Sequence, residues 1–250
     1  MIALFDSGIG GISILREIRR LLPTADAVYF GDTANVPYGG RPAADIIGFS
    51  RAAVEQLLPY RPSVLVVACN TATSVAISAL RDQYSDLPIV GVVPVLKIAA
   101  ERTTSKHVGV LATQATLSSV SYQNLKQQFA NGIQVLELAV PEWVTFVERG
   151  ELDGPAVERS VRMISEQVRA AGADVVALGC THFPFLRSAL VAELPGVEVL
   201  DSGPAVARQV VRVLTNNHSL PSATESGRVT WLTSGPVKEF ERYAERLLRS

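Results

Sequence analysis

Short apolar runs alternate with longer amphipathic stretches along almost the whole chain. The runs cover residues 2–5, 27–30, 64–68, 89–93, 108–111, 135–138, 175–178, 197–200 and 229–232, and are rich in Val, Ile and Leu. Most are unbroken by polar positions, as expected of strands buried on both faces. Between them, residues 12–22, 43–58, 73–84, 116–129, 154–171 and 205–215 carry apolar positions at helical spacing, and 236–249 does so at the end of the chain. Strand–helix alternation of this kind predicts parallel α/β sheets covered by helices on both sides.

The alternation also repeats. Residues 2–6 resemble 108–112, 64–69 resemble 175–180, and 90–94 resemble 198–202. The expectation is an α/β fold of two pseudo-symmetric parallel-sheet domains. The first holds residues 1–96 with 210–250 and the second residues 97–209, with a crossover near 94–100. Residues 216–227 are polar and rich in turn formers, so they are expected to form a surface loop.

Two cysteines are the only ones in the 250 residues, and each ends a predicted strand. Cys69 closes Val64-Leu65-Val66-Val67-Ala68 and leads into Asn70-Thr71. Cys180 closes Val175-Val176-Ala177-Leu178-Gly179 and leads into Thr181-His182. The point where a strand hands over to a helix N-terminus favours a thiolate and offers backbone N–H groups to an anion. A single free cysteine is ordinarily a small buried hydrophobe. Two at matching strand ends are better explained as a pair of proton carriers that serve opposite faces of one carbon. No Cys-x-x-Cys is present, and no zinc-type ligand spacing surrounds either thiol.

Other segments carry weaker signals. Asp6-Ser7-Gly8-Ile9-Gly10-Gly11 joins the first strand to the first helix. It departs from the dinucleotide pattern, and Asp6 admits a plain reading as a helix N-cap. Gly31-Asp32-Thr33-Ala34-Asn35-Val36-Pro37-Tyr38-Gly39-Gly40 is a long strand-end loop, in which Tyr38 is a candidate to close over a small ligand and its backbone to donate to a carboxylate. His182 lies close enough in sequence to tune Cys180, although side chains two apart in a turn tend to diverge. Glu148, in Val147-Glu148-Arg149-Gly150, reads by itself as a surface charge.

Composition narrows the partners. The formal net charge of −1 argues against a nucleic-acid or anionic-membrane surface. No apolar run approaches the ~18–20 residues of a membrane span. The chain enters its first strand without a basic leader, so a cytoplasmic protein with reduced thiols is expected. Lys97 and Lys106 lack a neighbouring glycine-rich phosphate loop, which argues against a pyridoxal cofactor. Two other classes fit parts of the pattern. A two-lobed binding module would have no use for the thiols. A thiol hydrolase built on Cys180 and His182 would leave Cys69 idle.

Taken together, Asp6-Ser7-Gly8-Ile9-Gly10-Gly11, Pro37-Tyr38-Gly39, Ala68-Cys69-Asn70-Thr71-Ala72 and Gly179-Cys180-Thr181-His182-Phe183-Pro184 resemble the glutamate racemases of the aspartate/glutamate racemase superfamily. Thr181-His182 after the second cysteine favours glutamate over aspartate or hydantoin substrates. The resemblance implies a cleft between two α/β domains and no cofactor or metal. It implies that Cys69 and Cys180 are the acid/base thiols, with Asp6 and His182 as their respective helpers. Asp6, Ser7, Tyr38, Gly39, Asn70, Thr71, Thr181 and His182 would bind glutamate. Glu148 matches a further family glutamate, and Glu142 is its rival, because Ala139-Val140-Pro141-Glu142-Trp143 departs from the family's Cys-Pro-Leu start. The implied product role is D-glutamate supply for peptidoglycan, and a homodimer is compatible with the resemblance.

Overall fold

The computed structural model describes residues 1–92, 95–221 and 225–249. Val93 and Pro94, expected to end a strand and begin the crossover, lie outside the described residues, as do 222–224 of the expected loop and Ser250.

In chain order the elements are β1 (Ile2–Asp6), α1 (Ile12–Leu21), β2 (Ala27–Gly31), α2 (Ala43–Leu57), β3 (Val64–Val67), α3 (Asn70–Gln83), β4 (Ile89–Gly91), α4 (Val95–Arg102), β5 (His107–Ala112), α5 (Gln114–Leu117), α6 (Val120–Phe129), β6 (Gln134–Ala139), α7 (Pro141–Glu148), α8 (Pro155–Ala170), β7 (Val175–Gly179), α9 (Arg187–Glu193), β8 (Glu198–Asp201), α10 (Gly203–Asn216), β9 (Val229–Thr233) and α11 (Val237–Arg249). They form two compact units, Met1–Val93 with Gly203–Ser250 and Pro94–Ser202.

The first unit is a five-stranded parallel sheet in the order β4-β3-β1-β2-β9. Strand β1 is wholly buried, and its alternate residues enter different packing layers. Ala3 and Phe5 join Val28, Phe30, Leu65 and Val67 under the apolar faces of α2 and α3. On the other side α1 packs along α10, which also touches β3 and β4. The stripe Val206, Ala207, Val210 and Leu214 buries α10 in this unit as a whole. The division therefore falls before Gly203, whereas the expected boundary at 209/210 would cut through this helix.

The second unit is a four-stranded parallel sheet in the order β6-β5-β7-β8. Its topology matches the β2-β1-β3-β4 part of the first sheet, so the sequence repeat is a repeat of fold. Strand β9 is the extra member of the first unit. Val108, Val110 and Ala112 on β5 and Val175 and Ala177 on β7 pack with Val95, Leu96 and Ala99 of α4.

Two helix boundaries differ from the pattern-based expectation. The stretch 116–129 is two helices, because Thr113 caps α5 by accepting from the Thr116 amide and Ser119 caps α6 by accepting from the Tyr122 amide. Helix α3 begins at Asn70, three residues before the apolar periodicity starts, because the sulfur of Cys69 takes the N-cap position.

The start of β7 is held by a half-buried carboxylate. Asp174 accepts from the hydroxyls of Thr103 and Thr104 and from the amides of Thr104 and Ser105, which ties the turn after α4 to this strand. Burial works against its ionised form, but these hydrogen bonds prevail and hold the carboxyl well below its ordinary value of 3.8. A depressed folded-state value stabilises the fold above the unfolded-state value, and that stability is lost as pH falls below it. Asp174→Asn is therefore expected to lower the melting temperature at pH 7 by about 2–4 °C, the shift that about 1 kcal/mol produces in a protein of this size after allowance for solvent screening. The gap between parent and variant melting temperatures, recorded from pH 7 down to pH 3, should begin to narrow below about pH 4 and keep narrowing as pH falls.

Candidate functional site

In the first unit the site residues gather at the carboxyl ends of β1 and β3. The register pairs Phe5 with Val67, so Asp6 and Ser7 leave the sheet beside Ala68 and Cys69. Asp6 is fully buried, and its Oδ1 accepts the Gly8 amide at 2.9 Å. This short-range bond shapes the turn. The cap position of α1 belongs to Gly11, which makes no side-chain cap bond, so Asp6 is not a helix cap. Gly11 is required sterically: a Cβ there would lie 2.8 Å from the Asp6 Cβ and 2.9 Å from the Ala68 Cβ. The glycine thus lets α1 start directly behind the carboxylate.

Cys69 is buried, and its sulfur lies 3.7 Å from the Ser7 hydroxyl and 3.4 Å from the Ala72 amide. A thiolate at this place is favoured by the amide dipoles of α3 and by its hydrogen bonds. Thr71 is buried beside it, and Asn70 has a buried Oδ1 with no hydrogen-bond partner among the described residues. An orphaned acceptor next to a thiol is the kind of group a ligand's N–H completes.

Tyr38 departs from the expected closing role. Its side chain is buried, its hydroxyl donates to Asp32 Oδ2 at 2.7 Å, and its ring packs on Phe49 at 5.6 Å between centroids. Burial, the bond to Asp32, and the charges of Asp32, Cys69 and Asp6 all push its hydroxyl far above the ordinary tyrosine range. The hydroxyl is a fixed donor, and what Tyr38 and Gly39 can offer a ligand is backbone.

In the second unit the corresponding ends are those of β5 and β7, where Ala112 pairs with Gly179. Cys180 and Thr181 are buried. No α-helix begins at Cys180. Pro184 lacks an amide hydrogen, and Phe183–Leu186 forms a 3-10 turn before α9. The helix N-terminus expected for both thiols is thus present at Cys69 alone. Cys180 has a different partner: Nδ1 of His182 lies 3.7 Å from its sulfur, and Nε2 of the same ring is 2.6 Å from Glu148 Oε1. The expectation that residues 180 and 182 diverge is corrected, because the 3-10 turn folds the ring back over the thiol.

Glu148 is the last residue of α7, and Gly150 at φ +76° donates to the Val147 carbonyl to end that helix. A carboxylate at a helix C-terminus is disfavoured by the helix dipole, and a cationic ring opposite it compensates. Burial alone would keep the His182 ring neutral. The bonds and charges of Cys180 and Glu148 outweigh it and raise the ring well above its ordinary value. The rival carboxylate, Glu142, accepts from Ser160, which in turn accepts from the Trp143 indole. Trp143 also packs edge-on against Phe183 at 5.1 Å, which steadies the turn carrying His182.

Polar groups beyond those selected from sequence sit at the same strand ends. Thr113 and Thr116 follow β5, are buried, and place their hydroxyls 3.0 Å apart. The signal was the strand-Thr-x-x-Thr capping pattern. Asp32 and Ser234 meet behind Tyr38 with an oxygen–oxygen distance of 2.6 Å. They are 202 residues apart in the chain, so no local pattern joins them. Among the described residues no group of three or more His, Cys, Asp or Glu side chains is arranged to hold a metal ion, and no helix is long and apolar enough to cross a membrane.

The family profile described as Asp/Glu/Hydantoin racemase matches residues 11–210. The chain belongs to that racemase family. A glutamate racemase of Herpetosiphon aurantiacus is 42% identical over 248 residues, covering 98% of this chain and 97% of that one. The crystal structure of Escherichia coli glutamate racemase in complex with L-glutamate and the activator UDP-MurNAc-ala is similar with a TM-score of 0.84 and 34% identity, covering 97% of this chain and 94% of that one. The Francisella tularensis glutamate racemase in complex with D-glutamate is similar with a TM-score of 0.85 and 25% identity, covering 100% and 93%. The two-sheet α/β architecture is that of this racemase family.

The contact between His182 and Glu148 generates a direct expectation. In the parent protein the contacts with Cys180 and Glu148 hold the His182 ring's midpoint well above its ordinary value. Glu148→Gln removes the charge of one of the ring's two partners, so the ring's midpoint should move down. Long-range ¹H–¹⁵N NMR of the histidine rings across pH 5–9 reads this, and an unchanged His182 titration would show that Glu148 does not set its charge.

Proposed function

We propose that this chain interconverts L- and D-glutamate by two-base proton transfer at Cα, without a cofactor. The observation that carries the reading is the pair of strand-end thiols, each with its own proton-handling partners: Ser7 and the first turn of α3 for Cys69, and the His182–Glu148 pair for Cys180. The relatives named above support glutamate as the substrate, since both enantiomers are bound in similar racemases.

In this reading one thiolate takes the α-proton and becomes a thiol. The electron pair left on Cα is delocalised into the adjacent carboxylate. The opposite thiol gives its proton to the other face of Cα and becomes a thiolate, so the product state is the mirror image of the starting one. Cys69 and Cys180 exchange roles with the enantiomer bound. His182 as an imidazolium donates to the Cys180 sulfur when that sulfur is a thiolate, and Glu148 holds the ring in place. Asp6 is the helper on the Cys69 side. Ser7, the backbone of Tyr38 and Gly39, Asn70, Thr71 and Thr181 bind the substrate's charged groups.

Magnitudes show what the remaining residues must supply. A turnover of about 10 s⁻¹ needs a barrier near 16 kcal/mol. Each acid or base contributes roughly 10²–10⁴-fold, or about 3–5 kcal/mol. The α-proton of an amino acid is far less acidic than a thiol. The difference must come from donors already aimed at the carboxylate that receives the charge, such as the amides at the start of α3.

The cell-wall role implied by the sequence resemblance is part of the proposal: a cytoplasmic enzyme that supplies D-glutamate for peptidoglycan. The activator named for the E. coli protein, a muramic acid nucleotide, is in keeping with it. A second reading draws on the Cys180–His182–Glu148 contact, which has the order of a thiol-hydrolase triad. It gives Cys69 and its capped position no task.

Incubation with L-glutamate in D₂O separates these readings. The α-proton signal in ¹H NMR should vanish while the circular dichroism of the solution decays to zero, with no added pyridoxal phosphate, nucleotide or metal. Cys69→Ala and Cys180→Ala should each abolish racemisation, and near-parental racemisation by Cys69→Ala would refute the two-base scheme in favour of the hydrolase.

His182→Asn and Asp6→Asn are expected to slow the two directions unequally. The equilibrium constant between enantiomers stays at one, so the ratio of the two kcat/KM values cannot change. The asymmetry must appear in kcat and KM separately. Equal effects of each variant on kcat in both directions would remove the side-specific roles.

A further inference from the structure

Asp32 belongs to none of the roles above, yet it is among the most densely bonded side chains of the first unit. It is 3% exposed. Its Oδ1 accepts from the Ser234 hydroxyl at 2.6 Å and its Oδ2 from the Tyr38 hydroxyl at 2.7 Å, while Asn35 Nδ2 lies 3.0 Å from both oxygens. Its own amide donates to the Asp6 carbonyl at 3.0 Å. The carboxylate therefore joins both halves of the loop after β2 to the turn between β9 and α11, while the residue's backbone amide ties it to the end of β1.

The surroundings indicate that the loop depends on this junction. Residues 32–37 form no regular element, and Tyr38–Gly40 is a single 3-10 turn. The loop's other anchors lead to the same turn: Thr33 and Thr233 hydroxyls are 2.7 Å apart, and the Ala34 amide donates to Ser234 Oγ at 2.9 Å. Next to Asp32 is a cavity of about 310 Å³, lined in part by Phe30, Asn35, Phe49, Gln56 and Thr233. A loop freed from the carboxylate has space to move into.

We infer that Asp32 is the positioning residue for the Tyr38–Gly39 backbone: through the Tyr38 hydroxyl on one side and Ser234 on the other, it holds that backbone where it binds the substrate carboxylate. The inference rests on the proposed glutamate reading. It adds the reason why a tyrosine stands at a place where only backbone faces the ligand. The phenol is the handle by which a distant part of the chain holds the turn. Because such an interaction serves substrate and transition state alike, its loss raises KM and leaves kcat comparatively untouched.

The test uses the full chain and three variants. Asp32→Asn keeps the shape but has one acceptor oxygen for three donors. Tyr38→Phe keeps the ring on Phe49 and removes the handle. Ser234→Ala cuts the far side. Asp32→Asn and Tyr38→Phe are expected to raise KM for both enantiomers about 10-fold with kcat within about 3-fold of the parent, and Ser234→Ala to do so by a smaller factor. The double variant Asp32→Asn/Tyr38→Phe should be little worse than the worse single one, since both cut the same bond. Amide hydrogen exchange should quicken at residues 34–40 in each variant while the core strands keep their protection. Unchanged KM in an active parent background, a fall in kcat at constant KM, or unchanged exchange at residues 34–40 would each overturn the inference. A parent that exchanges no α-proton would instead refute the glutamate reading, and the exchange rates of residues 34–40 would still decide whether Asp32 holds the turn.

Discussion

A parallel strand buried on both faces has one end where polar groups can gather without breaking its ladder, and in β3 and β7 that end carries a thiol. The strand interiors, Val64–Val67 and Val175–Gly179, are closed off on both sides by helices. The backbone's hydrogen-bonding groups there are committed to neighbouring strands. Beyond the last ladder pair the chain must turn, and side chains of the turn find amides and hydroxyls that have no ladder partner. The candidate residues follow from this: Asp6 and Ser7 after β1, Asp32 after β2, Cys69 after β3, Thr113 after β5, Cys180 to His182 after β7. The same edge of each sheet holds them all, as in other parallel α/β sheets.

The two thiols are equivalent in topology and different in chemistry. Cys69 takes an N-cap position, with a hydroxyl and a helix amide as partners. Cys180 sits against the His182 ring, whose midpoint is raised by its contacts with Cys180 and Glu148. The cause of the difference is local sequence. Asn70-Thr71-Ala72 continues into a helix, whereas Thr181-His182-Phe183-Pro184 cannot, because the proline has no amide hydrogen and tightens the first turn. A fold that repeats has thus been given two unlike thiol environments by four residues at one strand end. Mirror-image substrates do not demand mirror-image bases, since thermodynamics constrains only the ratio of the two directions.

Strand positions, the parallel class and the repeat were legible because mostly unbroken apolar runs of four or five residues leave few alternatives. The thiols were legible because they closed two such runs. Legibility failed where the deciding partner is remote or the cap is unusual. The start of α3 was read three residues late, since a cysteine is a poor N-cap by composition and acts as one here through its sulfur. The His182–Cys180 contact is unfavourable on spacing alone because side chains two apart in a turn tend to diverge, and here the 3-10 turn folds the ring back over the thiol. Glu148 looked like a surface charge because its partner is 34 positions away. Asp32 and Ser234 escaped notice for the same reason, since nothing near either residue encodes the other.

The buried carboxylates show how the fold keeps its charges where they can act. Asp32 is satisfied by donors that are neutral, so it stays a fixed acceptor and organises a loop. Glu148 faces a histidine, a donor whose proton can be lost, and this is the feature that suits it to the proposed proton transfer. Asp6 lies between these cases, buried beside a turn amide and close enough for its charge to bear on Tyr38. In a low-dielectric setting an anion with only hydroxyl and amide partners cannot pass on its charge without leaving an unpaired group behind, whereas an anion facing an imidazole can do so by moving one proton. The kind of donor, more than the carboxylate itself, therefore separates the residue that positions from the residue that takes part in proton transfer.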